Sequence, residues 1–191
     1  LNLSGGQPSH ADINGGRSII DSSDQDIQTG RGRGHGTSVQ SVAAADTNDG
    51  VGIAGINWSS PIYVSNVFGS RSFSQAAQEQ IDYARARGQR VVYNLSAEYT
   101  VDFNDTALAN LMQQNAATAL FLIASGNSQN RSTNVVSNPA NFAGQYGNVM
   151  AVGSNNQDGT RAGYSQFGPE LTLVAPSPAA GIPAANINGG Y

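Results

Sequence analysis

The chain has no cysteine, little charge and no long apolar run, and each absence removes a class of protein. Without cysteine there is no disulfide framework, although the compartment stays open because secreted bacterial enzymes often dispense with disulfides. With 12% charged residues and a net charge of −4, there is no basic field to gather nucleic acid and no polybasic patch to hold a membrane surface. Arg31-Gly32-Arg33-Gly34 is a single short run with neither repeats nor interleaved aromatics, so it does not make an RNA-binding segment. No stretch approaches the ~20 apolar residues that cross a bilayer, and residue 1 does not open a charged-then-apolar signal sequence. Two histidines and no cysteine leave no cluster for zinc. The chain reads as a mature soluble domain or part of one.

What is present points to a layered α/β domain. The length of 191 residues is enough for one core, and 23 glycines indicate many tight turns. Strand and helix signals alternate, with no internal repeat and no linker, so a single domain over residues 1–191 is expected. Pro61-Ile62-Tyr63-Val64-Ser65-Asn66-Val67-Phe68 is a β-branched and aromatic run that predicts a buried strand. Ser74 is placed to cap a helix whose apolar face is Ala76, Ala77, Ile81, Ala84 and Ala86 and which Gly88 stops. Val91 to Leu95 predicts a strand, residues 106–117 a helix with Leu108, Leu111 and Met112 on one face, and Ala119 to Ala124 another strand. Such alternation implies a parallel sheet, and sites in parallel sheets form beyond the carboxyl ends of the strands. Ser96 and Asn127 both stand just past apolar strands.

The most informative stretch is Gly34-His35-Gly36-Thr37-Ser38-Val39, which leads into the small apolar segment Val42-Ala43-Ala44-Ala45. Glycines on both sides let other groups approach the imidazole closely, and the alanine-rich segment behind it is a good helix former that can be buried. An imidazole titrates near neutrality, so His35 is a candidate for general acid–base chemistry; its other reading is a structural histidine in a glycine-rich turn.

His35-Gly36-Thr37, Gly52-Ile53-Ala54-Gly55-Ile56, Val91-Val92-Tyr93-Asn94-Leu95-Ser96, Ala124-Ser125-Gly126-Asn127, Val149-Met150-Ala151-Val152-Gly153 and Tyr164-Ser165-Gln166-Phe167-Gly168 with Val174-Ala175-Pro176 follow one another in this order. Together they resemble the subtilisin-like serine proteases over nearly the whole chain. The resemblance implies a three-layer α/β fold, with a mainly parallel sheet flanked by helices, and a serine-type endopeptidase in which His35 is the base. It also implies that the Asn127 side chain stabilises the oxyanion of acyl transfer. The competing role for Asn127 is a plain Gly-Asn turn. An extended peptide substrate would pair by backbone hydrogen bonds with Ser96-Ala97-Glu98, and with Ala124-Ser125-Gly126 on the other side of the pocket. No cofactor is required for the chemistry. In many subtilases an oxygen-rich loop after the histidine helix binds calcium, which carries to Asn48 in Asp46-Thr47-Asn48-Asp49-Gly50 and to Asp12 of His10-Ala11-Asp12-Ile13. A secreted, bacterial-type enzyme that is monomeric when complete is the matching expectation.

The departures from the family pattern are as specific as the matches. Glu98 and Tyr99 stand where the family has a glycine pair; they either narrow the pocket and favour basic residues or are solvated loop positions. Gln40 and Ser177 replace small residues, and Phe73 is either an aromatic lining an outer subsite or a core residue at a helix start. Neither the Asp-Thr/Ser-Gly box nor the Gly-Thr-Ser box followed by Met or Phe and Ala is present. The first is expected before Leu1 and the second after Tyr191. Asp21 and Ser38 imitate them, but Asp21 follows the His-x-Asp segment instead of preceding it, and Ser38 is too close to His35 on the same helix entry to attack. The 191 residues alone are therefore expected to be inactive. The alternative function is a catalytically inactive subtilase-like domain that binds peptide or protein.

Overall fold

The computed structural model describes residues 3–4, 7–8, 18–20, 34–65, 67, 71–99, 105–127, 134–177, 181–186 and 190–191. Contacts group the chain into two compact units, residues 1–72 with 183–191 and residues 73–182.

In the first unit, β1 (Leu3–Ser4) and β2 (Gln7–Pro8) form a short antiparallel pair, and β3 (Ser18–Ile20) pairs in parallel with β4 (Ile62–Val64). Among the described residues of the run from Pro61, only these three are strand and they are half-buried, a correction to the long buried strand expected. Helix α1 (His35–Ala44) starts at Gly34 and turns Thr37, Gln40, Ser41 and Ala44 inward. Its last carbonyls would be orphans at an ordinary helix end. Here the N–H groups of Ile56 and Asn57 donate to the carbonyls of Val42 and Ala43 at 3.2 and 2.8 Å, and that of Gly55 to Ala45 at 3.3 Å. A β-carbon on Gly55 would lie 2.2 Å from the Ala45 nitrogen, so only glycine permits this approach.

The second unit contains α2 (Phe73–Arg85), β5 (Val91–Leu95), α3 (Thr106–Gln114), β6 (Ala119–Ala124), a 3₁₀ turn (Ala140–Gly144), β7 (Val149–Asn155) and β8 (Leu171–Pro176). The four strands form one parallel sheet in the order β5-β6-β7-β8. Tyr93, Phe121 and Val149 are register neighbours, as are Leu95, Ile123 and Ala151, and all six are buried. Alternation along each strand puts them on one face. α2 packs against β5 and α3 and adds Phe73, Ala76, Ala77, Ile81 and Ala84 to the buried set, while α3 adds Leu108, Ala109, Leu111 and Met112. Each of the large side chains contributes about 1.5–3 kcal/mol by leaving water.

Helix boundaries follow local chemistry. α2 begins at Phe73, so Ser74 lies within its first turn and does not cap it, and Ala86 lies past its end and is exposed. Gly88 and Gln89 donate to the carbonyls of Arg85 and Ala84 and close the helix. α3 is capped by Asp105, whose carboxylate accepts from the Leu108 N–H at 2.9 Å. It ends at Gln114, three residues short of the predicted end, because Asn115 turns its amide back onto the Leu111 carbonyl. Among the described residues no helix is long and apolar enough to cross a membrane.

Candidate active site

β5 and β6 run parallel and in register, Leu95 beside Ile123, so the segments that follow them leave the sheet at the same edge. Residues 96–99 form one wall and residues 125–127 the other. Asn94 at the strand end donates its side-chain amide to the Ser96 hydroxyl at 3.0 Å.

Long-range polar contacts hold the second wall. The Ser125 N–H donates to Val152 O at 2.8 Å, its hydroxyl donates to Gln166 O at 2.8 Å, and its carbonyl accepts from the Ser137 N–H at 2.8 Å. Gln166 donates its backbone N–H to Gly126 O at 3.1 Å and its amide to Val135 O at 2.8 Å, and accepts from the Ser137 hydroxyl at 2.5 Å. Ser125, Ser137 and Gln166 are all buried, so the bonds among them are shielded from competing water. The Ser125 N–H and the Ser125 and Gly126 carbonyls thus each have a hydrogen-bond partner inside the protein. Gly126 sits at φ +112°, and a β-carbon there would come within 2.0 Å of Gln166 Oε1 and 2.4 Å of Ser137 Oγ. The network and the backbone angle thus both demand glycine.

The first wall is anchored differently. The Tyr99 N–H donates to Asn138 O at 2.9 Å, its ring lies 4.6 Å from that of Phe73, and its hydroxyl donates to the Asp105 carboxylate that also caps α3. Burial, followed by this hydrogen bond and the Asp105 charge, raises the Tyr99 phenol well above its ordinary range. Burial and the same charge raise that of Tyr93. Phe73 is buried under this contact at 6% exposure, which assigns it to the core and not to an outer subsite. Among the described residues, none bonds the main-chain groups of Ala97 and Glu98.

Asn127 is exposed at the end of the second wall. Its N–H donates to Glu98 Oε1 at 3.4 Å, and among the described residues nothing bonds its carboxamide. A carboxamide used for an Asx turn would be tied to nearby backbone. That of Asn127 has both donors available.

His35 belongs to the first unit. It is the first residue of α1 and is exposed, with the preceding Gly34 at φ 72°. The helix it stands on is fastened by a two-way clasp, in which the Ser38 hydroxyl donates to Ala185 O at 3.0 Å and the Ser41 hydroxyl accepts from Ala185 N–H at 2.8 Å. Ser38 is therefore engaged with backbone and is no nucleophile for its neighbour. Gln40 is buried on the inward face where a smaller residue was expected, and Ser177 accepts from the Tyr164 hydroxyl at 2.9 Å. Asn48 is exposed with φ 64° in the turn after α1, where the Asp49 carboxylate accepts from the Val51 N–H. Asp12 and Asp21 lie outside the described residues. Among the described residues, no group of three or more His, Cys, Asp or Glu side chains converges as a metal site would require.

Four contributors carried no functional expectation: Gln166, Ser137, Asp105 and Ala185. Asp105 was open to inference, since an aspartate directly before Thr106-Ala107-Leu108 is a helix-cap signal. The other three act through partners far along the chain; Gln166 lies in the run Tyr164-Ser165-Gln166-Phe167-Gly168, but that run does not show what its side chain bonds.

A family model described as the subtilase family, of the S8 peptidases, matches residues 4–189. The chain belongs to the subtilase family. Among curated proteins, Subtilisin BL of Lederbergia lenta is 33% identical over 179 residues, covering 91% of this chain and 61% of its own length. Thermitase of Thermoactinomyces vulgaris is 30% identical over 178 residues, covering 90% of this chain and 60% of its own. This subtilase thus spans about three fifths of the length of those relatives. Among solved structures, the psychrophilic subtilisin-like protease Apa1 from Pseudoalteromonas sp. AS-11 superposes with a TM-score of 0.70 at 22% identity, covering 90% of this chain and 39% of that one. The likeness, together with the parallel sheet and its helices, identifies the three-layer α/β subtilisin-like fold.

Proposed function

We propose that this subtilase is part of a serine-type endopeptidase that hydrolyses peptide bonds, with His35 as general base and then general acid and Asn127 as the oxyanion donor. The observation that carries the reading is the Asn127 carboxamide, exposed and unbonded among the described residues at the carboxyl edge of a parallel sheet, opposite a wall whose Ala97 and Glu98 main-chain groups are open. In the reaction, a serine hydroxyl attacks the peptide carbonyl as its proton passes to the His35 imidazole. Charge gathers on the former carbonyl oxygen, and a fixed amide donor there stabilises the transition state more than the ground state. His35 then returns the proton to the leaving amine, and water releases the acyl group by the same steps. The serine and the carboxylate that orients His35 belong to the two family boxes that these 191 residues do not contain.

The protein that includes both boxes should be labelled by a serine-directed phosphonate and should cleave peptides, whereas residues 1–191 alone should do neither. Peptide binding by the full-length protein without labelling or cleavage would replace this reading with that of an inactive peptide-binding domain.

We also propose a structural calcium held by Asp12 and Asn48. A carboxylate and an amide oxygen are hard donors of the kind calcium takes, and the exposed left-handed turn presents Asn48 away from the α1 core. The ion would have no part in the chemistry. Millimolar calcium should raise the melting temperature of the full-length protein and chelator should lower it, by about 2–4 °C per kcal/mol of binding. Asn48→Ala should abolish the response; an unchanged response in that variant removes Asn48 from the site.

A further inference from the structure

Glu98 stands at the meeting of the two walls. Its Oε2 lies 2.7 Å from where a β-carbon on Gly126 would be, and its Oε1 accepts from the Asn127 N–H. The side chain is half-buried, and among the described residues no arginine or histidine forms an ion pair with it. Water solvates such a carboxylate while the groove is empty. A peptide laid along residues 96–99 expels that water, and a carboxylate left with no cation and only the 3.4 Å contact to the Asn127 N–H then opposes binding.

Resting on the peptidase reading, we infer that Glu98 makes this site select arginine or lysine immediately before the cleaved bond. The carbonyl that Asn127 would hold belongs to that residue, so its side chain leaves the substrate backbone beside Asn127 and within reach of the carboxylate that Asn127 itself contacts. A guanidinium or ammonium replaces the lost hydration with a charge-assisted bond. An apolar side chain leaves the charge unpaired, and an acidic one adds repulsion, so discrimination comes from rejection as much as attraction. The position cannot be relaxed easily, because Gly126 has no side chain to displace and its wall is locked by Gln166 and Ser137.

The test uses full-length protein and fluorogenic peptides that differ only in Arg, Lys, Phe or Glu before the cleaved bond. Arg and Lys should exceed Phe in kcat/KM by about tenfold, with Glu lowest. Glu98→Gln should bring the Arg-to-Phe ratio close to one, and Glu98→Arg should place the Glu peptide above the Arg peptide. Binding of the corresponding Arg- and Phe-terminated peptide amides, read by fluorescence polarisation, separates this inference from the peptidase reading. Without any cleavage, tighter binding of the Arg amide that disappears in Glu98→Gln sustains the role of Glu98 and sinks the peptidase. Cleavage with no preference for basic residues, or with a preference that survives Glu98→Gln, overturns the role of Glu98 and leaves the peptidase standing. Neither cleavage nor selective binding overturns both.

Discussion

Alanine at position 35 is expected to lower kcat of the full-length protein by about 10⁶, the loss that the corresponding histidine of subtilisin shows and a figure carried over from that enzyme. In the proposed mechanism the imidazole relays the proton from the nucleophile to the amine, so its removal would disable both halves of the reaction. The fold should tolerate the change. His35 is an exposed first residue of α1, and the helix is held by Thr37, Gln40, Ser41 and Ala44 and by the Ala185 clasp. Stopped-flow or progress-curve kinetics together with a melting curve separate the two effects: lost turnover with an unchanged melting temperature is the expected pair. Turnover within tenfold of the native protein would show that His35 is structural.

Replacing Asn127 by alanine is expected to lower kcat by about 10²–10³ with little change in KM, again the magnitude belonging to the equivalent asparagine of subtilisin. The effect falls on kcat because a donor aimed at the developing oxyanion does little for the ground-state carbonyl. Stability should again be spared, since the carboxamide bonds no described residue and the side chain is exposed. A rise in KM at constant kcat would instead mark Asn127 as a binding residue. Retained activity would return it to an ordinary turn.

The placements of both substituted residues could be read from sequence. His35 lies between glycines at a helix start, and Asn127 follows an apolar strand after Ser-Gly; both placements are local and survive into the structure. The same holds for β5 and β6, whose bounds match the apolar runs Val91 to Leu95 and Ala119 to Ala124. Expectation failed where a local signal competed with a tertiary one. The run beginning at Pro61 has the composition of a long strand, but β4 ends at Val64, which pairs with Ile20 of β3. Ser74 has capping chemistry, yet the helix starts one residue earlier at Phe73, which is buried against Tyr99. For Phe73 and Glu98, sequence left two roles open because each depends on what stands opposite.

By itself, then, the sequence determined the family, the parallel α/β order of elements and the two candidate catalytic side chains, because apolar periodicity, helix-breaking glycines and short motifs act within a few residues of one another. Only the tertiary structure decided how the wall at residues 125–127 is held in the second unit and how α1 is fastened in the first. Ser125 and Gln166 are 41 positions apart, Ser137 and Gln166 are 29 apart, and Ser38 and Ala185 are 147 apart. A buried polar group must find a partner wherever the fold places one, and the identity of that partner has no periodic trace in the chain. The same reason applies to Glu98: its carboxylate has meaning only beside the main-chain N–H of Asn127, 29 positions away and brought there by the pairing of β5 with β6.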